Sequence, residues 1–235
     1  MRLKILSIPV LLVLVLTSCG GGGDKITRAE TFDLEAGYAS LAHNGDTTSV
    51  SLSGTIVMNG TSTPFAGSGT LAINPASTTT FNGLTALSQL VTIDGTVTAS
   101  GQSASYASSV TDYYGIGTTT LLGETSSNEY DVAPTPLAYP AMVEGGSNGL
   151  LGTLNRYTDG TMGVSLGTAQ VSYQTMTPVD PGSPMPVLVT VKIYDTQDTL
   201  IETDVTTYSL TSANDMAFVA ATAENASGTL TVSRN

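Results

Sequence analysis

Gly145-Gly146-Ser147-Asn148-Gly149 satisfies the G-x-S-x-G pattern of a serine nucleophile. That pattern works when its glycines permit a sharp strand-to-helix turn that lifts the hydroxyl clear of a sheet. Here Leu150 to Tyr157 reads as a strand, and the single histidine, His43, precedes the serine, opposite to the Ser, acid, His order of that fold. His43 sits in a polar stretch, Ala42-His43-Asn44-Gly45-Asp46, read as a turn, and no motif selects an acid to complete a His, Asp, Ser order. The segment reads as a Gly-rich turn, and no catalytic residue is assigned.

One histidine and one cysteine leave no zinc site of ordinary ligand spacing. Oxygen ligands for calcium are available in Asp159, Asp180, Asp195, Asp198 and Asp204, yet none falls in the loop pattern that encodes a site in one stretch, so they read as solvated turn aspartates. Paired carboxylates can hydrolyse glycosides when held across a cleft, but the sequence selects no pair. Gly115-Ile116-Gly117 lacks the lysine and the helix of a phosphate cradle. Ten tyrosines, Tyr113-Tyr114 among them, could stack on sugars; with no tryptophan beside them they read as core-edge residues whose hydroxyls face water. No metal or cofactor site is assigned.

The remaining reactive group is the lone thiol. Arg2 and Lys4 open the chain, an apolar run follows from Ile5 to Leu16, and the sequence then turns polar, which is the layout of a secretory signal. The run is shorter than the roughly 20 residues needed to span hydrocarbon. Leu16-Thr17-Ser18-Cys19 resembles the lipobox of bacterial lipoproteins. The resemblance implies that residues 1–18 are removed, that Cys19 receives a diacylglyceryl group and a further acyl chain, and that the protein is held at a membrane by that lipid. Gly20, where an Asp would favour inner-membrane retention in this family, implies the outer membrane. An unpaired cysteine in an exported chain otherwise lacks an explanation. Several acyl chains give stable attachment where one is marginal. Residues 19–32, starting with Gly20 to Gly23, read as a flexible tether. The Cys-Gly-Gly-Gly-Gly start is also similar in style to Thr-rich bacterial lipoproteins of unknown role, and implies no activity.

Without residues 1–18 the chain keeps five basic residues, Lys25, Arg28, Arg156, Lys192 and Arg234, against nineteen acidic ones, a net charge of −14. Five scattered cations cannot neutralise a phosphate backbone, which excludes nucleic acid as a partner. Only 11% of residues are charged and 40% are hydrophobic, so the chain is not of disordered type. About 200 residues after the tether suffice for a large core.

Thr, Val, Tyr and Ile fill the chain after the tether, punctuated by Gly and Pro every eight to twelve residues, which predicts an all-β fold. Hairpins and meanders would build an antiparallel β-sandwich or a barrel. Val50, Leu52, Ile56 and Met58 alternate with Ser51, Ser53 and Thr55, and Asn59-Gly60 follows as a hairpin turn, or as the start of a loop running to Pro64. Val187 to Tyr194 and Leu200 to Leu210 form a second hairpin about Asp195 to Asp198. In Val164 to Tyr173 the apolar parity flips at Gly167, which predicts a β-bulge there. Met216 to Ala223 and Gly228 to Val232 supply two more strands. Leu90-Val91-Thr92-Ile93 resembles Leu188-Val189-Thr190-Val191, and two similar halves, or the likeness of Ser/Thr-rich strands, would account for it. The β-rich domain then runs over 33–235, with a loop or lobe boundary near 134–149. Three functions fit: a non-catalytic structural or binding domain of the envelope, a carrier or chaperone of hydrophobic molecules, and a hydrolase.

Overall fold

A computed structural model describes residues 30–235. The signal segment, Cys19 and the tether as far as residue 29 lie outside the described residues. The elements are β1 (Thr31–Phe32), α1 (Leu34–Asn44), β2 (Asp46–Met58), β3 (Thr61–Ile73), β4 (Ser77–Phe81), β5 (Leu84–Ala99), β6 (Gln102–Gly115), β7 (Leu121–Ser126), β8 (Glu129–Leu137), β9 (Val143–Glu144), β10 (Asn148–Tyr157), β11 (Ser165–Thr175), β12 (Met185–Tyr194), β13 (Leu200–Leu210), β14 (Met216–Asn225) and β15 (Gly228–Arg234).

Of the two architectures the alternation allows, the chain adopts the barrel. Strands run antiparallel around a ring in the order β2-β15-β14-β13-β12-β11-β10-β8-β7-β6-β5-β3, and β3 pairs back to β2 to close twelve strands. The short β4 extends the line of β3 along β5. Seam strands β3 and β5 meet through Gly69 opposite Gly95, where a Cβ on Gly95 would lie 2.5 Å from the Ser68 carbonyl oxygen. Small residues let the wall curve sharply there.

The hairpins form where turn chemistry places them. Asn59 and Gly60, both at positive φ, make a two-residue turn, so Pro64 belongs to β3 and not to a loop. Asp195 accepts hydrogen bonds from the backbone N–H groups of Gln197 (2.8 Å) and Thr199 (2.9 Å), which fixes the β12–β13 turn. The register slips by one residue where Gly167 (φ 112°) faces Arg156 and Ser165 faces Tyr157, which is the expected bulge. Within 134–149, residues 134–137 finish β8, 143–144 form β9 and 148–149 begin β10, and β8 and β10 pair within one ring. The similar segments at 90–93 and 188–191 sit on β5 and β12, diametrically placed in that ring.

One helix was not anticipated. Asp33 caps α1 by accepting from the Ala36 N–H at 2.9 Å, and Gly45 ends it at φ 69°. His43 therefore lies in the last helical turn, not in a loop, and is exposed. Leu34, Tyr38 and Leu41 are buried, so the helix stoppers one end of the barrel, seated against Leu210 at Gly37. Gln89, 2% exposed, ties it to the wall by donating to the Leu41 and Asn74 carbonyls (3.1 and 3.0 Å). Thr31 and Phe32, read as the end of the tether, already pair with β9, and Phe32 is buried.

Parity assigns the two faces of the wall. Val50, Leu52, Phe65, Leu71, Val171, Val187 and Val232 point inward and form the core with the helix. Outward positions carry Thr47, Ser49, Ser51 and Ser53 on β2, Ser103, Ser105 and Ser109 on β6, and Thr229, Thr231 and Ser233 on β15.

Candidate functional site

Tight turns join the strands at the end opposite the helix, and the inward side chains near them are not fully covered. Ile56, Val91, Ile93, Val97, Val191 and Ile193 pack against the core but are only partly buried, and Ala104, on the inward parity of β6 opposite Val97, is exposed. Eight strands make an interior that side chains just fill, so twelve leave room for a lumen. The barrel is thus cup-like in its burial: inward side chains are buried at the helix and partly accessible at the hairpin end.

Midway down this cup an acidic row crosses four strands in register. Asp112 on β6 faces Glu124 on β7, Glu124 faces Asp131 on β8, and Asp131 faces Arg156 on β10. Glu129, two residues before Asp131, shares its parity. From β13, Glu202 and Asp204 point into the same space. Three carboxylates directly opposite one another on neighbouring strands repel, so the arrangement is one the sheet alone would not favour.

Arg156 is the inward cation of the row and is 4% exposed. Its Nη2 lies 2.9 Å from Glu129 Oε1, and its Nε 3.4 Å from Asp131 Oδ2. Asp131, 2% exposed, keeps Oδ1 without a hydrogen-bond partner, as does Asp204. Glu202 accepts from Asn225 Nδ2 at 3.0 Å, and Asp112 accepts from the Tyr114 hydroxyl at 3.2 Å. Burial raises Asp131 to about 7, with Arg156 pulling it down and Glu129 pushing it up. Asp204 is pushed up to about 8 by burial first, then by Glu202. Asp112 is raised by burial, against the Tyr114 hydrogen bond. Glu124 is raised by burial and then by repulsion from Asp112, Asp131, Asp204 and Glu129. Asp112, Glu124 and Asp204 are enclosed deeply enough to be desolvated, yet each keeps contactable surface, as side chains lining a lumen do.

Tyrosines floor this chamber on the helix side. Tyr38 stacks on Tyr139 with ring centroids 3.7 Å apart, and Tyr208 meets Tyr38 edge-on at 5.7 Å. Tyr114 and Tyr139 are buried, whereas Tyr208 on β13 is partly exposed to the interior.

The residues singled out from sequence lie elsewhere. Ser147 accepts from the Glu144 N–H at 3.0 Å in the β9–β10 turn, a strand follows it, and among the described residues no hydrogen bond joins it to His43. Among the described residues no three His, Cys, Asp or Glu side chains converge to hold a metal ion. Asp159, Asp180, Asp195 and Asp198 do lie in turns or loops, but Asp204 is not a turn aspartate: it sits inside β13 and faces the lumen. Sequence reading missed the acidic row, although its signal was present. Asp112 shares the parity of Val110 and Tyr114, and Arg156 that of Leu154, so charges stood on apolar faces.

No family model and no curated protein matches this chain. Among solved structures, a DUF1329 family protein from Desulfovibrio piger is similar over 87% of this chain and 92% of its own, with 9% sequence identity and a TM-score of 0.28.

Proposed function

We propose that this is a lipid-anchored, non-catalytic binding protein of the bacterial envelope, whose barrel holds a small molecule in its lumen. The observation that carries the binding half is the asymmetry of the cup: buried core at the helix, accessible inward side chains at the hairpin end. The anchoring half rests on Leu16-Thr17-Ser18-Cys19 and the glycine tether. Hydroxyl-rich outer rows support a barrel that stands in water beside the membrane. Carriage of a hydrophobic molecule, the second reading, is supported by the aliphatic upper wall. The charged row argues against a ligand that is apolar throughout, because such a ligand would leave the carboxylates unpaired.

The test is native mass spectrometry of protein released from envelopes of its own host. The expected result is a chain starting at lipidated Cys19 that carries a noncovalent small molecule, with that mass lost from the mouth-filling variant Ala104→Trp. A bare, unmodified Cys19 would overturn the anchoring; an empty barrel would overturn the binding.

A further inference from the structure

The lumen pairs an excess of carboxylates with aromatic and aliphatic surface, and we infer that its ligand is an organic cation of polyamine type, ammonium groups carried on an aliphatic chain. The inference rests on the reading that the barrel holds a small molecule, and names its class. Two independent observations carry it. First, Asp112, Glu124 and Asp131 stand in register on adjacent strands, with Glu202 and Asp204 from β13, against one inward cation, Arg156, which lies 2.9 Å from Glu129 and 3.4 Å from Asp131 Oδ2 and keeps its Nε without a hydrogen-bond partner. Second, Asp131 is 2% exposed with Oδ1 unpartnered, and Asp204 Oδ1 is buried and unpartnered as well. Buried oxygens of this kind call for a donor, and a charged donor is the strongest.

Geometry selects the kind of cation. Neighbouring strands lie about 4.8 Å apart, so the row spreads its charge along a line and does not gather it at a point. Among the described residues no metal-holding group of side chains forms. A chain of spaced ammonium groups matches a line of acids. Its methylenes would lie against Val191 and Ile193 on β12, which pair with Asp204 and Glu202 on β13, and the partly exposed ring of Tyr208 would face an ammonium through its π cloud.

The test is titration calorimetry of the mature chain, solubilised in nonionic detergent, with spermidine and 1,8-diaminooctane at pH 7.5. Controls are 1,8-octanediol, of similar shape without charge, and CaCl2. We expect both amines to bind, the diol and calcium not to, and affinity to fall with added NaCl. Asp131→Asn and Glu124→Gln should each weaken binding at least tenfold. Asp94→Asn, at an exposed outward position on β5, should leave it unchanged and so separate the lumen from diffuse attraction to an acidic surface. Circular dichroism of each variant checks that the barrel is intact. Absence of heat with either amine, or binding that ignores Asp131→Asn and Glu124→Gln, would overturn the proposal. An uncharged or anionic molecule recovered from native protein would overturn the ligand class while leaving the binding function standing, and an empty barrel would sink both.

Discussion

Replacing Arg156 by methionine keeps an unbranched side chain of similar length and removes the buried guanidinium that Glu129 and Asp131 share. Deleting one partner of a buried ion pair costs about 3–5 kcal/mol, because the charge left behind is neither solvated nor compensated. The cost must depend on pH. Asp131 in the folded protein is pushed up to about 7, so at pH 5 it carries a proton and has little charge to strand. At pH 8.5 the parent holds it ionised beside the guanidinium, and the variant must either strand that charge or keep the proton. The guanidinium pulls the Asp131 value down, so its removal drives that value higher still, and the variant goes on losing stability at pH values where the parent has levelled off. For a domain of this length, 3–5 kcal/mol lowers Tm by roughly 6–20 °C. Urea unfolding followed by far-UV circular dichroism, at pH 5 and pH 8.5, reads both numbers. A penalty equal at the two pH values, or below about 1 kcal/mol at the higher one, would refute the assignment of Arg156 as counter-ion of a buried acidic row.

The unmodified barrel should itself be more stable at pH 5 than at pH 8.5. Asp131 and Asp204 hold protons up to about 7 and 8 when folded, whereas unfolded aspartates release theirs near 4, so stability is lost as pH rises through that interval. Asp204→Asn should flatten this slope, and a slope unchanged in that variant would refute the assignment. Gly37→Ala should destabilise by about 1–3 kcal/mol, because its Cβ would lie 2.6 Å from Leu210 Cδ1 where the helix meets the barrel. Unchanged thermal unfolding would mean that the helix is not seated as a stopper.

Local chemistry was legible and closure was not. The Asn59-Gly60 turn, the hairpin about Asp195 to Asp198 and the bulge at Gly167 each follow from a few adjacent residues. The choice of barrel over sandwich depends on β2 meeting β15, which joins Val50 to Arg234, and on β3 meeting β5. Ser/Thr-rich strands alternate identically in either architecture, so nothing short-range selects those partners. The helix carried its own signal in Asp33, in Leu34, Tyr38, Leu41 and Ala42 at helical spacing, and in Gly45. Three turns of that pattern are easily lost in a chain dominated by residues of period two. The acidic row was half visible: parity could have placed Asp112 and Arg156 on inward faces. Their assembly with Glu124, Asp131 and Asp204 required the register of five strands.

That register also shows which forces the site sets against one another. Apolar side chains in place of the row would fill the barrel and remove like-charge repulsion, and exchanging buried charges for packed hydrophobes is often neutral or stabilising. The fold has no need of carboxylates there, since its core is complete at the helix end around Phe32, Leu34, Met185, Leu210 and Phe218. Departures of this kind are expected at functional or strained sites, which is the ground for the binding role proposed above. Here the departure coincides with the depth at which the lumen stays reachable. Without a ligand, retained protons on Asp131 and Asp204 reduce the repulsion; a bound cation would displace those protons and take over their work, which couples occupancy of the lumen to pH in the neutral range.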